Sequence, residues 1–227
     1  NNIQDNPQVI ITQPKLTLVT DKLYNDDGIL WDLTVVYTYG ENNYVIKTEA
    51  SNALSDSQTV REYFYNDNNQ VTHITSTHNN SSSTTTYLYN DQGLIIERQI
   101  LESSEPAFLY TYNEYDQLIQ INDDTYFNYD DTVSDNYTTK TYTLPVNEII
   151  SYTYDNQINP YALVFPSALS KITNECTTNN LLTEEPFSKL IGYEYNLDGY
   201  PTKSVFTYVD DSPYSLNTAQ EREYFYD

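Results

Sequence analysis

Tyr87-Leu88-Tyr89-Asn90-Asp91-Gln92-Gly93-Leu94-Ile95 decides the fold. Two tyrosines one residue apart precede a turn-like tetrapeptide, and apolar residues follow it. The same order recurs at Tyr37-Thr38-Tyr39-Gly40-Glu41-Asn42-Asn43, Tyr63-Phe64-Tyr65-Asn66-Asp67-Asn68-Asn69, Tyr110-Thr111-Tyr112-Asn113-Glu114-Tyr115-Asp116 and Tyr193-Glu194-Tyr195-Asn196-Leu197-Asp198-Gly199. Tyr152-Thr153-Tyr154-Asp155 begins a copy that departs after the Asp. Tyr24-Asn25-Asp26-Asp27-Gly28 reads as a partial first copy, and Tyr224-Phe225-Tyr226-Asp227 as a truncated last one. Starts at 37, 63, 87 and 110 give a period that suits one β-hairpin per repeat.

The tetrapeptide has a physical logic. A type I turn favours Asn or Asp first, and a following residue in the left-handed region completes a short hairpin loop with a bulge. Gly28, Asn43, Asn69, Gly93, Asp116 and Gly199 stand at the fourth position, and these are the residue types that accept positive φ. A regular ladder from such turns pairs Tyr65 with Val71, Tyr89 with Ile95, Tyr112 with Leu118 and Tyr195 with Pro201. One step further it pairs Tyr63 with His73, Tyr87 with Glu97, Tyr110 with Gln120 and Tyr193 with Lys203. Both tyrosines of a repeat then share one sheet face. The other face carries Phe64, Ile74, Leu88, Ile96, Ile119 and Ile121. Two partly apolar faces call for a sheet covered on both sides, or curved to enclose one.

Further strands are expected at Val9–Thr20, Trp31–Tyr39, Tyr44–Ala50, Thr138–Leu144, Asn147–Tyr154 and Lys203–Val209, with polar Ser81–Thr86 leading into another. Asn122–Asn136 reads as an acidic turn region. The repeat is interrupted at about 155–190, where Ser167–Ile172 can form a short helix after Pro166. The expected fold is all-β: an antiparallel meander of hairpins forming a strongly curved sheet or partly open barrel, with at most one or two short helices. No composition shift divides the chain, so residues 1–227 read as one β-domain.

The chain has 227 residues, formal net charge −23, 38% apolar residues and 25 tyrosines. That composition excludes collagen, coiled coils, disulfide frameworks and basic nucleic-acid binders. Met is absent, so the sequence is expected to start downstream of an initiator; a cleaved signal peptide, or a lipid-anchored Cys just upstream, fits the polar start.

The repeat resembles the tyrosine-aspartate repeats of bacterial cell-surface and toxin-shell proteins. The segment Tyr154-Asp155-Asn156-Gln157-Ile158-Asn159-Pro160-Tyr161, followed by Asn179-Asn180, is similar to Bacteroidetes secreted lipoproteins of unknown function, some with a porin-like β-fold. The resemblance implies a curved antiparallel sheet and a cell-envelope location: secreted, or lipid-anchored in the periplasm or at the cell surface. It carries no catalytic residues.

Candidate chemistry is sparse. His73 and His78 are five residues apart, hence on opposite faces of a strand. Cys176 has no internal disulfide partner and reads as a small loop residue. The carboxylate pairs Asp26-Asp27, Asp123-Asp124, Asp130-Asp131, Asp210-Asp211 and Glu184-Glu185 suit turns and solvation; Asn122–Asp135 is the one calcium candidate, without the regular ligand alternation. No catalytic residue, metal or cofactor is expected. The binding candidates are Trp31, Tyr63, Tyr65, Tyr87, Tyr89, Tyr110 and Tyr112, because such rings combine a large apolar area with a polar tip. The expected role is a non-enzymatic envelope binding or scaffolding module, with a glycan or an envelope protein as partner, no nucleic acid, and membrane contact only through a lipid anchor. A carboxylate-based glycan hydrolase and a small outer-membrane barrel are the alternatives. Glu97, Gln99, Gln120 and Lys47 interrupt any apolar band the latter needs.

Overall fold

The computed structural model describes residues 13–25, 27–143, 147–173, 177–186, 189–208 and 219–227. The chain forms sixteen strands: β1 (Leu16–Asn25), β2 (Gly28–Tyr39), β3 (Val45–Asn52), β4 (Ser57–Tyr65), β5 (Val71–His78), β6 (Ser81–Tyr89), β7 (Ile95–Ile100), β8 (Phe108–Tyr112), β9 (Leu118–Ile121), β10 (Thr125–Asn128), β11 (Thr139–Tyr142), β12 (Glu148–Ile158), β13 (Asn179–Glu185), β14 (Lys189–Tyr195), β15 (Pro201–Tyr208) and β16 (Ala219–Tyr226). Every strand pairs antiparallel with its sequence neighbours, and β1 pairs with β16 from Leu16 to Tyr24, so the sheet closes. Between β12 and β13 lie a 3-10 turn, Pro160–Leu163, and a five-residue helix, Ser167–Lys171. The expected strand at Val9–Thr20 begins at Leu16 among the described residues, and the acidic segment expected as turns contains β10. Cys176 and Asp210-Asp211 lie outside the described residues.

The turn chemistry is as the sequence dictates. Asn43, Asn69, Asp116, Gly93 and Gly199 have φ of 63°, 59°, 61°, 78° and 83°. The Oδ1 of Asn66 accepts from the backbone N–H of Asn68 and Gln70, and Asn113 and Asn196 repeat the arrangement. These turns share one end of the barrel. The copy at Tyr24–Gly28 differs: it joins β1 to β2 at the opposite end, with Gly28 at φ 129°.

The register shows what a regular ladder misses. Tyr65 faces Val71, Tyr89 faces Ile95, Tyr112 faces Leu118 and Tyr195 faces Pro201, as expected. One residue is then inserted on the returning strand, at Thr72, Ile96, Ile119 and Thr202. Tyr63 therefore meets Ile74 rather than His73, and Tyr87 meets Arg98 rather than Glu97. Tyr110 meets Ile121 rather than Gln120, and Tyr193 meets Ser204 rather than Lys203. A bulge moves every later side chain to the other face and sharpens the local twist. Ile74 and Ile121 thus turn inward, while His73 turns outward and stacks on Phe64 with ring centroids 4.3 Å apart.

The bulges also explain the second tyrosine of each pair. Neighbouring hairpins part near the turn end: the β3–β4 ladder stops at Lys47/Glu62 and the β5–β6 ladder at His73/Thr86. Beyond those points a strand carbonyl has no ladder partner. The hydroxyl of Tyr65 donates to the Val45 carbonyl at 2.6 Å, that of Tyr89 to Val71 at 2.9 Å and that of Tyr112 to Ile95 at 2.7 Å. Tyr39, Tyr129, Tyr154 and Tyr226 donate in the same way to Leu16, Leu118, Tyr137 and Pro201. Val45, Val71 and Ile95 are fully buried, so their carbonyls need these donors.

The core sits at this end. Val164 and Leu169 of the insertion pack among Leu16, Val45, Val71, Ile95 and Leu118. The Val45 amide donates to the Val164 carbonyl at 3.3 Å. The Lys171 ammonium pairs with Asp135 at 2.7 Å, tying the insertion to the acidic segment. The insertion packs into the turn end, so the interior is a partly filled cup, where a barrel of this strand number otherwise encloses a channel.

Two stability tests follow from this wall. Tyr65→Phe, Tyr89→Phe and Tyr112→Phe each lower the urea-unfolding free energy by about 1 kcal/mol with unchanged m-value, the net worth of one hydrogen bond to a buried carbonyl. Gly93→Val costs about 1–2 kcal/mol because a β-branched residue is strained at φ 78°, whereas Asn69→Gly is close to neutral in the same assay.

Candidate functional site

The inner wall is lined by the first tyrosine of each pair. Tyr63 and Tyr224 are buried, and Tyr37, Tyr87, Tyr152 and Tyr193 are half-buried. The insertion packs against them: Phe165 lies 5.2 Å from Tyr63, and Tyr161 lies 6.1 Å from Tyr224 between ring centroids. Two cavities lie along the inner wall on either side of the insertion. The larger, about 860 Å³, lies under β1–β7 and is walled by Trp31, Tyr37, Tyr63, Tyr87, Arg61 and Arg98, among others. The smaller, about 390 Å³, lies under β11–β16 among tyrosines, Lys140, Glu184 and Lys189. Tyr161, Gln220 and Arg222 border both.

A polar bridge forms that partition. Both carboxylate oxygens of Asp21, which is 5% exposed, are held. Gln220 Nε2 donates to them at 2.7 and 2.8 Å, and Arg222 donates from Nη2 and Nε at 2.8 and 3.2 Å. A carboxylate so surrounded stays a bound acceptor and keeps Arg222 compensated. In the smaller cavity Lys189 pairs with Glu184 at 3.3 Å, and the Lys140 ammonium lies over the rings of Phe127 and Tyr142.

The seven sequence-derived candidates separate into three groups. Trp31, Tyr63 and Tyr87 meet on the wall of the larger cavity. Tyr65, Tyr89 and Tyr112 have hydroxyls committed to backbone carbonyls. Tyr110 is buried in the core. Sequence reasoning missed Arg61, Arg98, Arg222 and Asp21. For Arg61 and Arg222 a signal was present, since each shares a strand face with tyrosines; for Arg98 it is recognisable only once the bulge at Ile96 is known, and Asp21 stands on a face of β1 with no tyrosine.

Elsewhere, His73 is on the outer wall and His78 on the inner, where its Nδ1 lies 2.9 Å from the Thr59 hydroxyl. Among the described residues no group of three His, Cys, Asp or Glu side chains is placed to hold a metal ion. In the acidic segment Asp131 accepts from the backbone N–H of Val133 and Ser134 and from the Ser134 hydroxyl, which hold its carboxyl below the usual range. Asp155 of the departing repeat accepts from the backbone and side chain of Asn180 and from the Tyr195 hydroxyl.

The outer wall mixes charged and apolar residues. Lys22, Lys47, Glu49, Glu62, Lys203 and Glu223 face outward by register, with cross-strand or same-strand ion pairs such as Lys47–Glu49 at 2.8 Å and Lys203–Glu221 at 3.3 Å. Exposed apolar residues accompany them, among them Phe64, Leu88 and Leu109, and Phe225 and Val36 flank Leu18 on neighbouring strands. A lipid-facing wall instead carries a continuous apolar band about 25 Å tall. The closed barrel of the third sequence reading is present, with apolar side chains both in its core and exposed on its outer face.

Burial pushes the phenols of Tyr39 and Tyr89 up to about 12, Asp227 adding to the rise at Tyr39 and the Val71 carbonyl opposing it at Tyr89. Tyr65, Tyr87, Tyr112, Tyr152 and Tyr193 are raised further, again chiefly by burial. Unfolded tyrosines ionise near pH 10. Above that pH the unfolded chain binds fewer protons than the folded one, so stability falls as pH rises. Stability is expected to be unaffected by these groups below about pH 10 and to drop steeply towards pH 12, with tyrosinate absorbance at 295 nm appearing in the same step as loss of the far-UV β signal.

No family profile and no curated protein matches the sequence. The fold has solved counterparts. A porin-like protein from Bacteroides uniformis superposes with TM-score 0.56 at 11% identity, covering 93% of this chain and 98% of its own. A TcdB2-TccC3-TEV structure aligns at TM-score 0.34 and 13% identity over 82% of this chain and 12% of its own, too weakly to bear on the fold. The chain is an all-β, sixteen-strand antiparallel barrel similar in fold to a Bacteroides porin-like protein.

Proposed function

We propose that this protein is a non-enzymatic binding module of the bacterial cell envelope, secreted or lipid-anchored, that takes its ligand into the barrel. One observation carries the reading: a cavity of about 860 Å³ walled by Trp31, Tyr37, Tyr63 and Tyr87. Small-molecule sites fall in the range of roughly 300–1,000 Å³ and combine aromatic walls with a few placed polar groups. The insertion covers the turn end, while Trp31, 43% exposed, keeps the cavity in contact with solvent. The charged residues on the outer wall fit a barrel surrounded by water. The porin-like likeness from Bacteroides supports the envelope location. Stacking of sugar rings on Trp31, Tyr63 and Tyr87 fits the aromatic wall, and a glycan is the favoured ligand.

Trp31 is the single Trp and reports on the cavity. Titration with a panel of envelope oligosaccharides is expected to shift its indole N–H resonance and fluorescence saturably for at least one member. Tyr63→Leu or Tyr87→Leu weakens that ligand about tenfold or more, the loss of one stacked ring. Binding that leaves the Trp31 signals unmoved, or a panel without any binder, overturns the reading.

A further inference from the structure

The chain carries three arginines in all, Arg61, Arg98 and Arg222. They lie on three strands, β4, β7 and β16, yet all three line the larger cavity. The formal net charge is −23. Even so, the charged groups on this wall are three guanidiniums and one carboxylate, that of Asp21. Arg222 is compensated by Asp21 at 2.8 Å. Arg61 and Arg98 have no ion pair among the described residues, and each ladder neighbour that shares their face is uncharged: Thr48 and Ser76 beside Arg61, Tyr87 and Phe108 beside Arg98.

Arg98 is the more unusual. Its guanidinium lies 4.1 Å from the centroid of the Phe108 ring. Its buried Nε is the one buried side-chain polar atom without a hydrogen-bond partner among the described residues. A buried donor without an acceptor costs about 1–3 kcal/mol, and an uncompensated charge in a low-dielectric wall costs more. Replacing Arg98 by an apolar residue would relieve both costs. The guanidinium suits a wall that completes its charge balance by binding an anion, since arginine presents a planar fork matched to oxyanions.

We infer that the larger cavity is selective for a small organic oxyanion, a carboxylate or sulfate borne on a ring. Arg61 and Arg98 take the charged group, and Trp31, Tyr63 and Tyr87 take the ring. This rests on the reading of the cavity as the ligand site and names the chemistry it selects. Among sugars, acidic ones are preferred over neutral ones of the same size. The surrounding net negative charge serves selectivity as well, because a field that repels anions everywhere but here leaves one favourable place for them.

Two matched pairs of probes test this on the full chain: galacturonic-acid trimer against galactose trimer, and benzoate against benzamide. Binding is read by calorimetry and by the Trp31 indole resonance, at two salt concentrations. The acidic member of each pair is expected to bind at least tenfold tighter than the neutral one, to weaken as salt rises, and to shift the Arg98 Nε–H resonance. Arg98→Gln and Arg61→Gln each remove at least a tenfold share of that preference, and Lys203→Gln on the outer wall changes nothing. Arg61 is exposed to solvent, so its variant carries the test even if Arg98→Gln does not fold. Equal binding of acidic and neutral members at Trp31, unmoved by either arginine variant, overturns the anion preference and leaves the lumen as ligand site. No binding by any of the four, or binding that leaves the Trp31 resonance still, overturns both.

Discussion

Everything in this barrel depends on how it disposes of backbone carbonyls at the turn end. Antiparallel hairpins with bulged turns splay from their neighbours, and the splay leaves fully buried carbonyls beyond the last ladder bond. A phenol is the side chain that meets this need: long enough to span the gap, apolar along its length, with one donor at the tip. The bond from Tyr65 to Val45 recurs around the barrel from Tyr39 to Tyr226. It binds hairpin to preceding hairpin on the row where the ladder fails, except at Tyr195, whose hydroxyl goes to the Asp155 carboxylate instead. The count of 25 tyrosines is in part a count of such joints.

The two tyrosines of each repeat consequently have different occupations. The one beside the turn is structural. The one two residues earlier lines the inner wall, and at Tyr63 and Tyr224 it packs against the insertion. Residues 160–171 occupy the space over the turn end, and Asp21, Gln220 and Arg222 divide what is left. Wall, plug and partition together define a cup whose interior is aromatic and basic within a strongly acidic molecule.

The legible part of this was local. Turn residues at the fourth position announced positive φ, and Asn43, Asn69, Gly93, Asp116 and Gly199 have it. The short helix after Pro166 was legible from its punctuation. The bulges were harder. A hairpin loop with a left-handed residue brings an extra residue with it, but the sequence does not say on which strand it falls. That uncertainty of one residue decides whether Arg98 or Glu97 stands beside Tyr87, and so decides the charge of the lumen. Closure was not legible, because strand pairing between β1 and β16 is a property of accumulated twist and curvature over sixteen strands rather than of any repeat. Tyr24–Gly28 resembled its fellows in composition and yet serves the other end, since one turn motif suits either end of a meander.

The seam between β1 and β16 joins residues about two hundred positions apart, from Leu16 opposite Tyr226 to Tyr24 opposite Ala219. All other strand pairings are between sequence neighbours and can form as the chain emerges during synthesis. The seam alone must wait for the final strand. Until then the nascent sheet has two open edges, each offering unpaired amides to any passing strand. Closing so long a loop adds entropic cost only slowly with length, but it delays the moment of safety until β16 has been made. The charged outer faces of the two seam strands, with Lys22 on one and Glu221 and Glu223 on the other, make each edge a poor partner for a copy of itself and a good one for its proper mate.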